Sequence, residues 1–138
     1  MIRLNRMRIL IGYERRLQMR YMRKLSDATK MTSVITGMPR GSSQQNQVEI
    51  GAIELAEVKE AYREVLFELR SMRGELEELL PYLDNPDDIG IMRLRYMDGF
   101  DLKDIPGAVC LSERAMFYHL ARAERTLARM FPEKVSLQ

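Results

Sequence analysis

Four residues near the C-terminus, Glu113, Arg114, Phe117 and Tyr118, set a carboxylate, a guanidinium and two aromatic rings within two helical turns. A guanidinium can donate two hydrogen bonds to the O6 and N7 acceptors of guanine. A carboxylate can accept from the cytosine amine, and an aromatic ring can cover the thymine methyl. Around them Lys103, Ser112, Arg122 and Arg125 supply donors suited to phosphate oxygens. The chemistry these residue types allow is recognition of duplex DNA. Base contacts are expected from Glu113, Arg114, Phe117 and Tyr118, and phosphate contacts from Lys103, Ser112, Arg122 and Arg125.

No comparable constellation points to catalysis. The chain has one cysteine, Cys110, and one histidine, His119, among 138 residues. They allow neither an internal disulfide nor a zinc site of the usual ligand number. No glycine loop of phosphate-binding pattern is present. Asp87 and Asp88 follow Asn85-Pro86, which reads as a helix start: a cap, a proline at the first position and acids at the positive end of the dipole. The sequence therefore predicts no enzyme, no cofactor and no metal. His119 lies near the edge of a buried stripe and reads as a partly packed structural imidazole.

The elements that must position these residues follow from periodicity and turn signals. Ile89, Met92, Leu94 and Tyr96 predict a helix of about three turns ending at Asp98-Gly99, with Gly99 in the left-handed conformation. Phe100 is expected to re-enter the core. Asp101 is expected to cap a short helix whose Leu102, Ile105 and Val109 face inward, and Pro106-Gly107 to interrupt that helix at the loss of one backbone bond. A turn follows at Cys110-Leu111. Ser112 caps a third helix, to about Met130, with Met116, Leu120, Ala123 and Leu127 on its buried stripe. Two helices joined by a tight turn, the second long and open on one side, describe a helix-turn-helix.

Upstream, the pattern is that of long helices. Leu10, Leu17, Tyr21, Leu25, Ala28 and Ile35 recur at helical spacing from about Arg3 to Ile35. Residues 36–47, with "GMPRGSSQQNQ" at 37–47, read as a loop. Val48, Leu55, Tyr62, Leu69, Leu76 and Leu83 then recur every seven residues. Gly51, Val58, Val65, Met72 and Leu79 fall three after the first five, an a/d seam over about five heptads from residue 47 to 83. Pro81 should stop or kink this helix. The expected fold is all-α: a long antiparallel, coiled-coil-like helical hairpin over residues 1–84, then a three-helix helix-turn-helix domain over 85–138.

Charge fits the hairpin. The net charge is only +2, yet residues 1–40 hold ten Lys/Arg against two Asp/Glu and residues 41–85 hold four against ten. Complementary flanks favour pairing of the two helices. The N-terminal arginines have two readings, ion pairing with the acidic helix and contact with a DNA backbone. No apolar run approaches the ~18 residues of a membrane span. The basic start lacks a cleavage-site pattern, and a reducing cytoplasm is expected.

"IMRLRYMDGFDLKDIPGAVCLSERAMFYHLARAERTL", residues 91–127, resembles the region-4 helix-turn-helix of sigma-70-type factors. The whole chain resembles the phage-encoded RinA/ArpU-type transcriptional regulators of Gram-positive bacteria. The resemblance rests on "GMPRGS" at 37–42, "LRYMDGFDLKDI" at 94–105, "LSERAMFYHLARA" at 111–123, and their order. It implies regulation of late phage transcription together with host RNA polymerase. Cys110 departs from the pattern, because such turns usually carry glycine there. No aromatic-rich segment suited to melting a promoter is present, so the partners expected are double-stranded DNA, bacterial RNA polymerase and, through the hairpin, a second protomer. A small-terminase-like packaging protein and a coiled-coil protein-interaction adaptor are the alternatives.

Overall fold

The structure is a computed structural model. It describes the backbone of residues 1–35 and 42–138 and the side chains of residues 1–29 and 49–138. The fold is all-α: helices α1 (Leu4–Ile35), α2 (Ser42–Leu79), α3 (Pro86–Met92), α4 (Ile105–Val109) and α5 (Glu113–Met130) carry nearly all of it. Two short strands, β1 (Ile2–Arg3) and β2 (Val135–Ser136), form a parallel pair, Ile2 with Val135 and Arg3 with Ser136.

The chain forms two compact units. One comprises Met1–Ile11 and Glu68–Gln138, the other Gly12–Phe67. These units group residues differently from a division at 84/85, because the start of α1 and the end of α2 pack with α3–α5. Ile2, Leu4, Met7, Leu10 and Ile11 are all buried. With Leu69, Leu76, Leu80, Ile91, Met92, Ile105, Met116 and Leu127 they form the first unit's core. In the second unit Leu17, Val58 and Val65 are buried.

α2 begins at Ser42, within the segment read as a loop. Residues 42–47 contain neither Gly nor Pro, so nothing there breaks helical hydrogen bonding. The remainder of that loop, 36–41, with Arg40, lies outside the described residues. α2 closes at Leu79, and a single 3₁₀ turn, Leu80–Tyr82, carries Pro81 in its first positions, where no backbone donor is needed. Ion pairs join α1 to α2 in both units: Arg6 with Glu68 in the first, and Lys24 with Glu54 in the second. Lys24 donates to Glu54 and so holds that carboxyl below its ordinary pKa.

Beyond α2, Asn85 accepts from the backbone N–H of Asp87 at 2.8 Å and Pro86 opens α3. α3 continues as a π-helical turn, Arg93–Met97. The Asp98 N–H reaches the Arg93 carbonyl at 3.0 Å and the Phe100 N–H reaches that of Leu94 at 2.9 Å. Gly99 sits between them at φ 68°, the left-handed conformation. Phe100 remains 37% exposed rather than re-entering the core.

The short helix also starts later than expected. Asp101 closes a turn through its carbonyl, and α4 begins at Ile105 after Asp104. Pro106 therefore stands in the first positions of α4, where its missing N–H breaks no bond. Only Ile105 of its apolar residues is fully buried.

α4 ends at Cys110, at φ 56° and ψ 41°. It is the one non-glycine residue with positive φ among those described. An L side chain there is strained by about 1–2 kcal/mol. Cys110→Gly is expected to raise unfolding stability by about 1 kcal/mol, and Gly99→Ala to lower it by a similar amount. Urea melts of the two variants check this; a destabilised Cys110→Gly would mean that the thiol's packing outweighs the strain.

Candidate nucleic-acid interface

α5 is positioned from its two ends and along its buried stripe. At its start the Ser112 Oγ accepts from the backbone N–H of Ala115 at 3.1 Å. Met116, Leu120, Ala123 and Leu127 are the buried residues of the helix. They lie at i, i+4, i+7 and i+11, one stripe of an α-helix. α5 packs against α3, with α4 and β2 among its further neighbours.

A polar tie crosses from α3. Asp88 is only 4% exposed, and it accepts from Arg122 Nε at 3.1 Å and Nη2 at 3.0 Å. His119 Nδ1 lies 2.7 Å from Asp88 Oδ1. A carboxylate offers no proton, so Nδ1 must carry the hydrogen and donate it to Asp88. The Tyr118 ring meets His119 edge-on at 5.9 Å, and the Arg122 guanidinium lies over Tyr118 at 5.3 Å. The hydrogen bond to Asp88 is the largest cause holding the Arg122 pKa above its ordinary value.

A second tie lies on the opposite edge of the stripe. The Tyr96 phenol donates to Glu124 Oε1 at 2.5 Å, and Arg8 stands 3.5 Å from Glu124 Oε2. Tyr96 is fully buried, and that burial, followed by the Glu124 charge, pushes its pKa up. The Tyr96 carbonyl, one of the helix-end acceptors without an intrahelical partner, accepts from Arg73 Nε at 2.7 Å.

These constraints leave one face of α5 open. Glu113, Arg114, Phe117 and Tyr118 are all exposed, with Phe117 at 42% and Tyr118 at 59%. Arg114, Tyr118 and Arg125 fall on the outward stripe opposite Met116, Leu120, Ala123 and Leu127; Phe117 flanks it, and Glu113, in the first turn, lies nearer the edge of the buried stripe. Among the described residues Arg114 and Lys103 make no ion pair, and both are exposed.

The expected phosphate contacts separate into different groups. Lys103 sits exposed in the turn before α4. Ser112 uses its oxygen lone pairs in the cap, which leaves its hydroxyl hydrogen to donate. Arg125 is exposed, with Nε donating to its own helix at Ala121. Arg122 stands apart: expected at phosphate, it directs Nε and one Nη at Asp88 and so supports Tyr118 from beneath. Asp88, His119, Tyr96, Glu124 and Arg8 carry no local sequence signal for these roles, because their partners are distant along the chain.

Among the described residues no cluster of His, Cys, Asp and Glu could hold a metal ion, and no helix is long and apolar enough to cross a membrane. Comparison with models of known protein families, with curated proteins and with solved structures finds no match.

Asp88→Ala is expected to lower stability by about 2 kcal/mol, since it removes charge-assisted hydrogen bonds at a buried group. Tyr96→Phe should cost about 1 kcal/mol, the net value of one buried hydrogen bond. Denaturant melts measure both. An unchanged midpoint for Asp88→Ala would show that the tie between α3 and α5 contributes nothing to folding.

Proposed function

We propose that this protein is a sequence-specific, double-stranded-DNA-binding transcriptional regulator, of the kind that activates late phage genes together with bacterial RNA polymerase. The observation that carries the reading is the two-sided character of α5: an apolar stripe packed on α3, and opposite it Arg114, Tyr118 and Arg125 on a solvent-facing stripe flanked by Phe117, with Glu113 exposed in the first turn.

The major groove admits one α-helix, and the first turns of that helix reach base edges. The base-reading types, Glu113, Arg114, Phe117 and Tyr118, all fall in those first turns of α5, whereas Arg125 lies further along, where backbone contact is the natural role. Lys103, in the turn before α4, is suited to a phosphate on the flank of the groove. The Asp88–Arg122 pair holds Tyr118 from one side, so the ring need not be ordered on binding. The polymerase partner, and with it a site of action in the bacterial cytoplasm, rests on the resemblance of residues 91–127 to sigma-70 region 4. Nothing in the chain suits melting of DNA, so polymerase would supply that step.

Selection of bound duplexes from a random pool, with wild type and Arg114→Ala/Tyr118→Ala at two salt concentrations, tests the reading. A sharp motif that survives the higher salt and vanishes in the double variant is expected. Enrichment unaffected by the double variant would remove base readout from α5. On the selected site, Arg114→Ala should cost about 1–3 kcal/mol and relax one position, while Lys103→Ala should weaken all duplexes alike and flatten the salt dependence. Equal losses across all sequences for both variants would refute the division of roles.

A further inference from the structure

The second unit, Gly12–Phe67, carries on each helix an outward stripe that the hairpin itself does not use. On α1 it is Tyr13, Arg16, Arg20 and Arg23, all exposed. On α2 it is Glu57, Glu60, Glu64 and Phe67, also all exposed, with Phe67 at 79%. Both stripes advance by alternating steps of three and four residues, the spacing of a heptad seam. Neither is the seam that closes the hairpin, whose buried positions include Leu17, Val58 and Val65.

Within one copy these charges are not paired with each other. Lys24 pairs instead with Glu54, with Arg20 adding a weaker field on Glu54. Arg16 lies over the Tyr13 ring at 5.8 Å, an arginine–aromatic contact rather than an ion pair. The open groove on this side of α1 is lined by Arg16, Arg20, Arg23, Met19, Lys24 and Asp27.

The geometry points to a second copy of this chain as the occupant, with the α1 stripe of each protomer set antiparallel against the α2 stripe of the other. In that register Tyr13 meets Phe67, Arg16 meets Glu64, Arg20 meets Glu60 and Arg23 meets Glu57. Each pair follows from the previous one by a matched step of three or four residues along both helices, so one alignment satisfies all four. This register lies within about one residue per helix of that which pairs Lys24 with Glu54 inside a copy. A twofold axis parallel to the helices preserves such a register and creates the contact twice. The product is a four-helix bundle, antiparallel throughout. The next step along α1 sets Asp27 against Ile53, and there the complementarity stops.

The inference stands independently of DNA binding. It explains why three arginines and three glutamates occupy matching positions, and why Phe67, the most exposed large apolar side chain among the described residues, ends the acidic stripe. Charged pairs at seam flanks select partner and orientation, and the aromatic pair supplies buried apolar area.

Charge exchange tests it. Wild type at micromolar concentration should show twice the monomer mass by light scattering. Arg16→Glu/Arg20→Glu/Arg23→Glu and Glu57→Arg/Glu60→Arg/Glu64→Arg should each run as monomers of native helicity, and mixing them should restore the dimer mass. A second measurement, in a Cys110→Ser background, needs no charge change: chains bearing Tyr13→Cys and Phe67→Cys should form a disulfide-linked dimer on oxidation when mixed, and neither should do so alone. A monomeric wild type overturns the proposal, as does a dimer that survives both charge reversals. So does loss of duplex affinity in the arginine-reversed chain from a wild type that is monomeric, which would assign the stripe to nucleic acid.

Discussion

A buried phenol must keep a hydrogen-bond acceptor, and in the first unit that requirement governs where α5 can lie. Tyr96 is wholly buried and donates to Glu124, so the face of α5 bearing Glu124 has to meet the C-terminal end of the α3 helix. Burial and the neighbouring carboxylate favour the neutral phenol, which keeps it a donor. On the other edge of the apolar stripe Asp88 makes the same demand, because a carboxylate this buried needs partners, and His119 and Arg122 provide them. Two polar ties on opposite edges of one apolar stripe define the rotation of a helix about its own axis. Apolar packing alone tolerates repacking, whereas unsatisfied buried polar groups do not. The outward direction of Arg114 and Tyr118 is therefore set by residues on the far side of the helix.

The same logic shows what was legible in the sequence. Met116, Leu120, Ala123 and Leu127 advertise their burial through spacing, and all four are buried. Ser112 and Asn85 announce helix starts through side chains that can accept a local N–H, and both do. Gly99 announces a left-handed residue, and its φ is 68°. These signals are local, so they survive in one dimension. Tyr96 with Glu124, Asp88 with Arg122, and β1 with β2 connect residues far apart in the chain, and a two-residue strand has no periodicity to read. The candidate base-reading residues were thus legible as a group of exposed types, but nothing in the sequence set Arg122 apart from the other residues expected at phosphate. Only the position of Asp88 shows that its guanidinium is engaged inside the protein.

Local rules also competed with one another. Asp101 is a good cap by type, yet Pro106 prefers the first positions of a helix, and α4 begins where the proline fits. Residues 42–47 are polar and resemble a connector, yet without Gly or Pro they continue a helix. Composition marks where a chain tolerates solvent; it does not by itself break hydrogen bonding. At Cys110 the competition runs the other way, because the turn geometry prevailed over the preference of an L residue for negative φ.

The arginines of α1 illustrate how one residue type divides among roles along a single helix. Arg6 and Arg8 face glutamates of the first unit, Glu68 and Glu124, and Lys24 faces Glu54 in the second. The solvent-open pair of Arg6 with Glu68 contributes little to stability, because ordering two long side chains offsets most of the Coulomb gain. The effect of the α1–α2 pairs is on alignment: a slip of α1 along α2 would part Arg6 from Glu68 and Lys24 from Glu54. The same reasoning applies to the proposed seam of Arg16, Arg20 and Arg23. Pairs open to solvent there would reject a parallel or slipped partner more strongly than they would hold the correct one. Affinity would have to come from apolar area, and Tyr13 and Phe67 bring theirs to the same end of the stripe.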